Sequence, residues 1–194
     1  MKYLLFVLLI LTALSGTAFA DDATPVRDNL ESKLNVVLDV MGQKDLDFNT
    51  KQDRVVGIVE PLFDFALMSY YALGKTNWSG LSSEDRKRFT ELFTQRLKDS
   101  YLADIDQYAN VEVTFETPIQ DKDKIEIPTH IVAEDGNISV IYRFKKRENK
   151  WRIYDLEIEG LSIIGWYRSQ FNDTLQSGTI EELLTKLEEM ESIQ

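Results

Sequence analysis

The chain has 194 residues, 22 lysines and arginines against 33 aspartates and glutamates, one histidine and no cysteine, for a formal charge of −11. Without cysteine there is no disulfide framework, no thiol catalysis, no Cys-type zinc site and no lipid-modified N-terminal cysteine, and one histidine excludes a histidine-based metal cluster. The acidity opposes sequence-independent attraction to phosphate backbones and anionic bilayers, which argues against nucleic acid and stable membrane adsorption.

In chain order, residues 1–20 read as a signal peptide. Lys2 supplies the positive start and Ala18-Phe19-Ala20 a small-residue cleavage site. The apolar stretch between them, Leu4 to Leu14, falls short of the roughly 20 residues that span a bilayer. Lys2 is the only charged residue removed, so residues 21–194 form a 174-residue product with a charge of −12. That length predicts one domain with one core.

Thr24-Pro25 opens a helix whose apolar stripe runs through Val26, Leu30, Leu34, Val37 and Met41. A polar break, Gln43 to Thr50, leads to a second helical stretch, Gln52 to Glu60, which Pro61 ends or bends. Leu62 to Leu73 continues as a segment apolar on nearly all sides, closed by Gly74. Ser82 is a natural N-cap, with Glu84 and Asp85 in the first turn, where the helix dipole favours negative charge. Phe89, Leu92, Phe93, Leu97, Tyr101, Leu102 and Ile105 then follow a 3.6-residue period over five turns.

From Val111 the period becomes two. Val111, Val113 and Phe115 form one run, and Ile125 and Ile127 a second before Pro128, whose missing donor suggests an edge or bulge. Ile138, Val140, Tyr142 and Phe144 form a third. Trp151 and Ile153 begin a fourth that blurs at Asp155 and Leu156. Asp135-Gly136-Asn137 and Glu148-Asn149 are turn signals, so the prediction is an antiparallel meander of four strands ended by Gly160. Ser162 to Gln176 and Thr179 to Ile193 return to helix. The fold class is α+β, with helices packed on one face of a curved four-stranded antiparallel sheet.

Catalytic patterns are thin. His130 stands at a strand end with no G-x-S-x-G elbow to supply a nucleophile, and Glu157 and Glu159 alternate as the solvent face of a half-buried strand does. No P-loop, G-x-G-x-x-G or calcium-loop pattern occurs, so no cofactor or metal is expected. The apolar segments say more. Pro61 to Leu73, and Leu161, Ile163, Ile164, Trp166, Tyr167 and Phe171 after the sheet, either fill a large core or line a cavity. Ligand pockets typically measure roughly 300 to 1,000 Å³.

Two stretches carry a family resemblance. The first is Ile58-Val59-Glu60-Pro61-Leu62-Phe63-Asp64-Phe65 with Leu73-Gly74, Trp78, Leu81-Ser82, Arg86, Phe89 and Phe93. The second, more specific, is Tyr154-Asp155-Leu156-Glu157-Ile158-Glu159-Gly160-Leu161-Ser162 followed by Tyr167-Arg168-Ser169-Gln170-Phe171. Together, over about residues 25 to 190, they resemble the MlaC family, also called toluene-tolerance auxiliary proteins. The resemblance implies an NTF2-like cone with an internal apolar cavity and a periplasmic, monomeric phospholipid carrier that is not an enzyme. It also implies two partners, a docking domain of an inner-membrane ABC transporter and an outer-membrane lipoprotein–porin complex.

On that reading Leu161, where the fourth strand turns into an apolar helix, leads the lipid-binding candidates. Phe63, Met68, Tyr71, Phe93, Leu97, Val113, Phe115, Val140, Tyr142, Tyr154, Ile164 and Phe171 follow, each equally open to being plain core. Arg86, Arg143 and Arg168 are candidates for a phosphate headgroup or a docking partner, with a surface salt bridge as the alternative for each. Two other functions stay open. A cone-fold enzyme would need a buried carboxylate of raised pKa beside a tyrosine, and a structural adaptor would have a filled interior.

Overall fold

The structure, a computed structural model, describes residues 22–102, 111–133 and 136–191. The signal segment, Ile105, Asp135 and Ile193 lie outside the described residues, as do the side chains of Tyr101 and Leu102.

The first helix, α1 (Ala23–Met41), lays Ala23, Val26 and Leu30 on the sheet, while Val40 and Met41 at its other end pack with Val55 of α2 (Phe48–Val59). The second helix starts four residues before Gln52 because the polar break contains its cap. Asp47 accepts from the Thr50 backbone N–H at 2.9 Å and from Thr50 Oγ1 at 2.7 Å, satisfying a donor the first turn leaves free. Pro61 sits in a single 3₁₀ turn, Glu60–Leu62, after which Phe63 is extended and Asp64 caps α3 (Phe65–Leu73) by accepting from the Leu67 N–H at 3.0 Å.

Gly74 ends α3 with φ of +81°, a conformation open to glycine at little steric cost. A short helix, α4 (Lys75–Gly80), follows, its six residues too few to show a helical period in the sequence. The expected cap of α5 (Ser83–Leu102) forms, with Ser82 Oγ accepting from the Asp85 N–H at 3.0 Å. Beyond the sheet come α6 (Ile163–Ser177) and α7 (Ile180–Glu191). Phe89 and Phe93 of α5 meet Ile164, Tyr167 and Phe171 of α6 and Leu183, Leu184 and Leu187 of α7 in one buried cluster. Arg88 clamps the rim of that packing with Glu181 at 3.0 Å and Glu188 at 2.8 Å.

The sheet has six strands where the sequence predicted four. Ordered β1 (Glu112–Phe115), β3 (Lys124–Ala133), β4 (Gly136–Arg147), β5 (Lys150–Ile158) and β6 (Leu161–Ser162), with β2 (Ile119–Asp121) also on β3, all neighbours are antiparallel. The extra two are three and two residues long, too short to show an alternation. Pro128 lies inside β3, not at its end. Its carbonyl accepts from the Glu116 N–H at 3.0 Å, so its missing donor points at the same place, the gap where β1 has ended and β2 not begun. The blur at Asp155 has a cause too. The register shifts so that Phe144 faces Ile153 while Arg143 faces Asp155, leaving Tyr154 as the extra residue of a β-bulge.

Ile125, Ile127, Phe144 and Ile153 share the face that α1 covers. The opposite face carries Arg143, whose guanidinium meets Glu126 at 3.0 Å, Asp155 at 3.3 Å and Glu157 at 2.6 Å. Burial opposes its charge, yet the hydrogen bonds to Glu126 and Glu157 prevail and hold its pKa above the ordinary arginine value.

Asp22 pins the start of α1 to this framework, accepting from Lys146 Nζ at 2.6 Å and Trp151 Nε1 at 3.2 Å. These bonds, the one from Lys146 foremost, hold its carboxyl below the usual value of 3.8. A carboxylate depressed in the folded state stabilises it above the unfolded pKa and stops doing so as pH falls through the lower folded one. Asp22→Asn is therefore expected to lower the urea midpoint at neutral pH and to match the wild type once both carboxyl forms are protonated. Equal midpoints at neutral pH would show that the contact adds nothing.

Candidate functional site

An apolar cavity of about 110 Å³ opens where α2, α3, α5 and the end of β5 converge. Its position follows from one local feature. Between the 3₁₀ turn and α3 the chain runs extended, Phe63 forms a parallel bridge with Ile153, and the Asp64 N–H donates to the Ile153 carbonyl at 2.9 Å. That fixes Phe63 on the sheet and stacks its ring on Phe65 at 5.5 Å. Met68 from α3, Leu97 from α5, Leu156 from β5 and Ile163 from α6 complete the walls with Val56 and Val59 of α2. Glu60 and Lys98 are the charged members of the lining. A second apolar space of about 130 Å³ lies between α1 and the sheet, lined by Leu34, Val37, Leu38, Met41, Val111, Val113, Ile131 and Tyr142. Tyr142 and Leu156 face each other across β4 and β5, so one cross-strand pair borders both spaces.

The sequence candidates divide among these places. Phe63, Met68 and Leu97 line the first cavity; Val113 and Tyr142 line the second. Phe93, Ile164 and Phe171 are buried in the helical cluster, Phe93 at 5.0 Å from Tyr167 and 5.5 Å from Phe171. Val140 is buried in the sheet, where its carbonyl accepts from Thr129 Oγ1 at 2.9 Å. Phe115 packs at the α1 side of the sheet with the Arg27 guanidinium 5.3 Å from its ring centre. Tyr71 and Tyr154 meet edge to face at 5.6 Å. Leu161 is 57% exposed, because β6 pairs with β5 through its backbone and turns that side chain outward.

None of the three candidate arginines is among the described residues lining either space. Arg86 donates from Nε to the Trp78 carbonyl at 3.1 Å and lies over the Trp78 ring; Arg143 is the centre of the three-carboxylate cluster; Arg168 is exposed on α6 beside Gly74. Sequence reasoning missed Val56, Val59 and Leu156, whose periodicity marks a buried face but not what covers it; Ile163, read from sequence as core or cavity lining, is lining. Sequence reasoning also missed Lys98, which a helix pattern assigns to solvent.

The titratable groups nearby are arranged for structure. Burial pushes the Tyr142 phenol up to about 12 and also raises Tyr154, so both stay protonated at neutral pH. Asp64, besides capping α3, accepts from Arg147 at 3.0 Å. Asp155 accepts from Ser162 Oγ at 2.7 Å and the Ile164 N–H at 3.1 Å, tying β5 to the start of α6. His130 Nε2 lies 2.6 Å from Glu116 on the exposed side of the sheet. Among the described residues no cluster of histidine, aspartate and glutamate suits a metal, and no helix is long and apolar enough to cross a membrane.

Fold and cavity together define an α+β domain in which an antiparallel sheet and its helices enclose apolar space. The profile of the MlaC protein family matches residues 31–189, and the chain belongs to that family. The intermembrane phospholipid transport system binding protein MlaC of Haemophilus influenzae is 23% identical over 121 residues, 59% of this chain and 56% of that protein, so the match spans little more than half of the relative. A solved structure, the phospholipid-binding protein of Ralstonia solanacearum in complex with a phospholipid, shares the fold at a TM-score of 0.75 and 23% identity, covering 84% of this chain and 95% of that one.

Proposed function

We propose that this protein is a carrier that holds the acyl chains of a phospholipid in the apolar space between sheet and helices and moves the lipid between membranes. The observation that carries the reading is the wall chemistry of the cavity: side chains from four helices and a strand present hydrocarbon to it, with one ion pair among them. Membership of the MlaC family, and the phospholipid named for both relatives, support it. Two acyl chains hold about 30 methylenes at roughly 0.8 kcal/mol each, so a lipid bare in water is unfavourable by some 20 kcal/mol, which an apolar enclosure largely offsets.

A space of about 110 Å³ is a fraction of what two chains need, so loading requires a wall to move. The second helix supplies Val56 and Val59 yet buries only Val55, which makes it the wall with the fewest contacts to lose. Such a carrier begins with the signal peptide at residues 1–20, works in the periplasm as a monomer, and exchanges lipid with an inner-membrane ABC transporter and an outer-membrane lipoprotein–porin complex. We read the sheet with its helices as an NTF2-like cone. Catalysis is not part of this reading: among the described residues the buried carboxylates are Asp64 and Asp155, and both are taken up by structural contacts, Asp64 with the Leu67 N–H and Arg147, Asp155 with Ser162 and the Ile164 N–H.

Native mass spectrometry of protein purified from a membrane-containing host tests the proposal. The expected spectrum shows one diacyl lipid per chain, released by organic extraction. Folded protein that stays lipid-free after incubation with phospholipid vesicles would overturn it.

A further inference from the structure

The cavity carries its charges at one place. Glu60, at the start of the 3₁₀ turn, and Lys98, on α5, both line it and meet with Lys98 Nζ 3.2 Å from Glu60 Oε2. The Lys98 ammonium sits 6.0 Å from the centre of the Phe65 ring, itself part of the wall. Lys98 is 25% exposed and Glu60 48%, so the pair stands at the rim, with hydrocarbon on one side and water on the other. Ion pairs this exposed hold weakly and exchange partners readily.

Two opposite charges side by side at the edge of an apolar space are the complement of a zwitterion joined to hydrocarbon. A diacyl lipid with its chains inside has its glycerol at the mouth, and the groups beyond the glycerol then reach the rim. We propose that Lys98 and Glu60 form the headgroup site and select zwitterionic glycerophospholipids, Lys98 taking the phosphate and Glu60 the headgroup ammonium. The proposal rests on the carrier reading above.

In the structure each charge neutralises the other. On loading, each trades that partner for the opposite charge on the headgroup, and neither is left unpaired. A phosphatidylglycerol headgroup satisfies Lys98 but sets its net negative charge against Glu60, within a chain already at −11. Diacylglycerol offers neither charge, so a pair that opens for it gains nothing in return.

The test equilibrates delipidated protein with vesicles holding equal parts phosphatidylethanolamine, phosphatidylglycerol and diacylglycerol, then weighs the bound lipids by native mass spectrometry. The wild type is expected to be enriched several-fold in phosphatidylethanolamine. Glu60→Lys is expected to turn the preference toward phosphatidylglycerol, the milder Glu60→Gln to erase the distinction between the two phospholipids, and Lys98→Met to bring both down to diacylglycerol. Uptake of all three lipids in vesicle proportions by wild type and variants alike overturns the headgroup site and leaves the carrier standing. Uptake of no lipid by folded wild type overturns the carrier and the headgroup site with it.

Discussion

Replacing Met68 by tryptophan is expected to empty the protein of lipid while leaving it folded. Met68 lies in α3 with its side chain buried against the cavity, beside Phe63 and Phe65. An indole there grows into free space before it meets a wall, so the overpacking cost should fall toward the lower end of the usual 1–3 kcal/mol, about 3 °C in melting temperature for a domain of this size. The effect on cargo is far larger. Each methylene of acyl chain kept out of the cavity forfeits about 0.8 kcal/mol, so excluding two already lowers retention about tenfold. Circular dichroism gives the fold and native mass spectrometry the lipid-to-protein ratio. A variant that melts like wild type and carries as much lipid would place the acyl chains elsewhere.

Phe93→Ala is expected to do the opposite, costing the fold before the cargo. Phe93 is fully buried, stacks on Phe89 at 5.8 Å and touches Tyr167 and Phe171 edge to face. Truncating it removes the hub of four rings and leaves a void that close-packed neighbours cannot fill, at a cost of about 3–5 kcal/mol and a drop of about 10 °C or more in melting temperature. Lipid bound per folded molecule should hold. A mild loss of stability with a large loss of lipid would instead make Phe93 a cavity residue. The two variants thus separate the functions that sequence alone assigned jointly to one set of apolar residues.

Why those residues were not separable is clear from particular cases. Phe63 and Phe93 are both aromatic, both on apolar segments and both plausible as lining. Phe63 reaches the cavity because the extended link before α3 bridges to Ile153, whereas Phe93 is covered by α6, which arrives some 70 residues later in the chain. Leu161 is the converse. Its place at the strand's end was legible, but its direction depends on the two-residue pairing of β6 with β5, which leaves it in solvent. Lys98 reads as solvent-facing on a helix and becomes part of the cavity only because Glu60 and Phe65 arrive opposite it.

Local chemistry was legible wherever a short stretch decides the outcome. The cap at Ser82, the stop at Gly74, the alternation of β3 and β4, and the change from helical to strand periodicity follow from residues within a few positions of each other. So does the charge of −11 with no cysteine, which leaves folding to the core alone. Tertiary structure decided the rest. It set the two short strands, the bulge at Tyr154 that ends the clean alternation, the division of apolar residues between core and cavity, and the meeting of Glu60 with Lys98. Periodicity fixes which face of an element turns inward, but what that face meets, another side chain or open space, depends on elements far away in the chain.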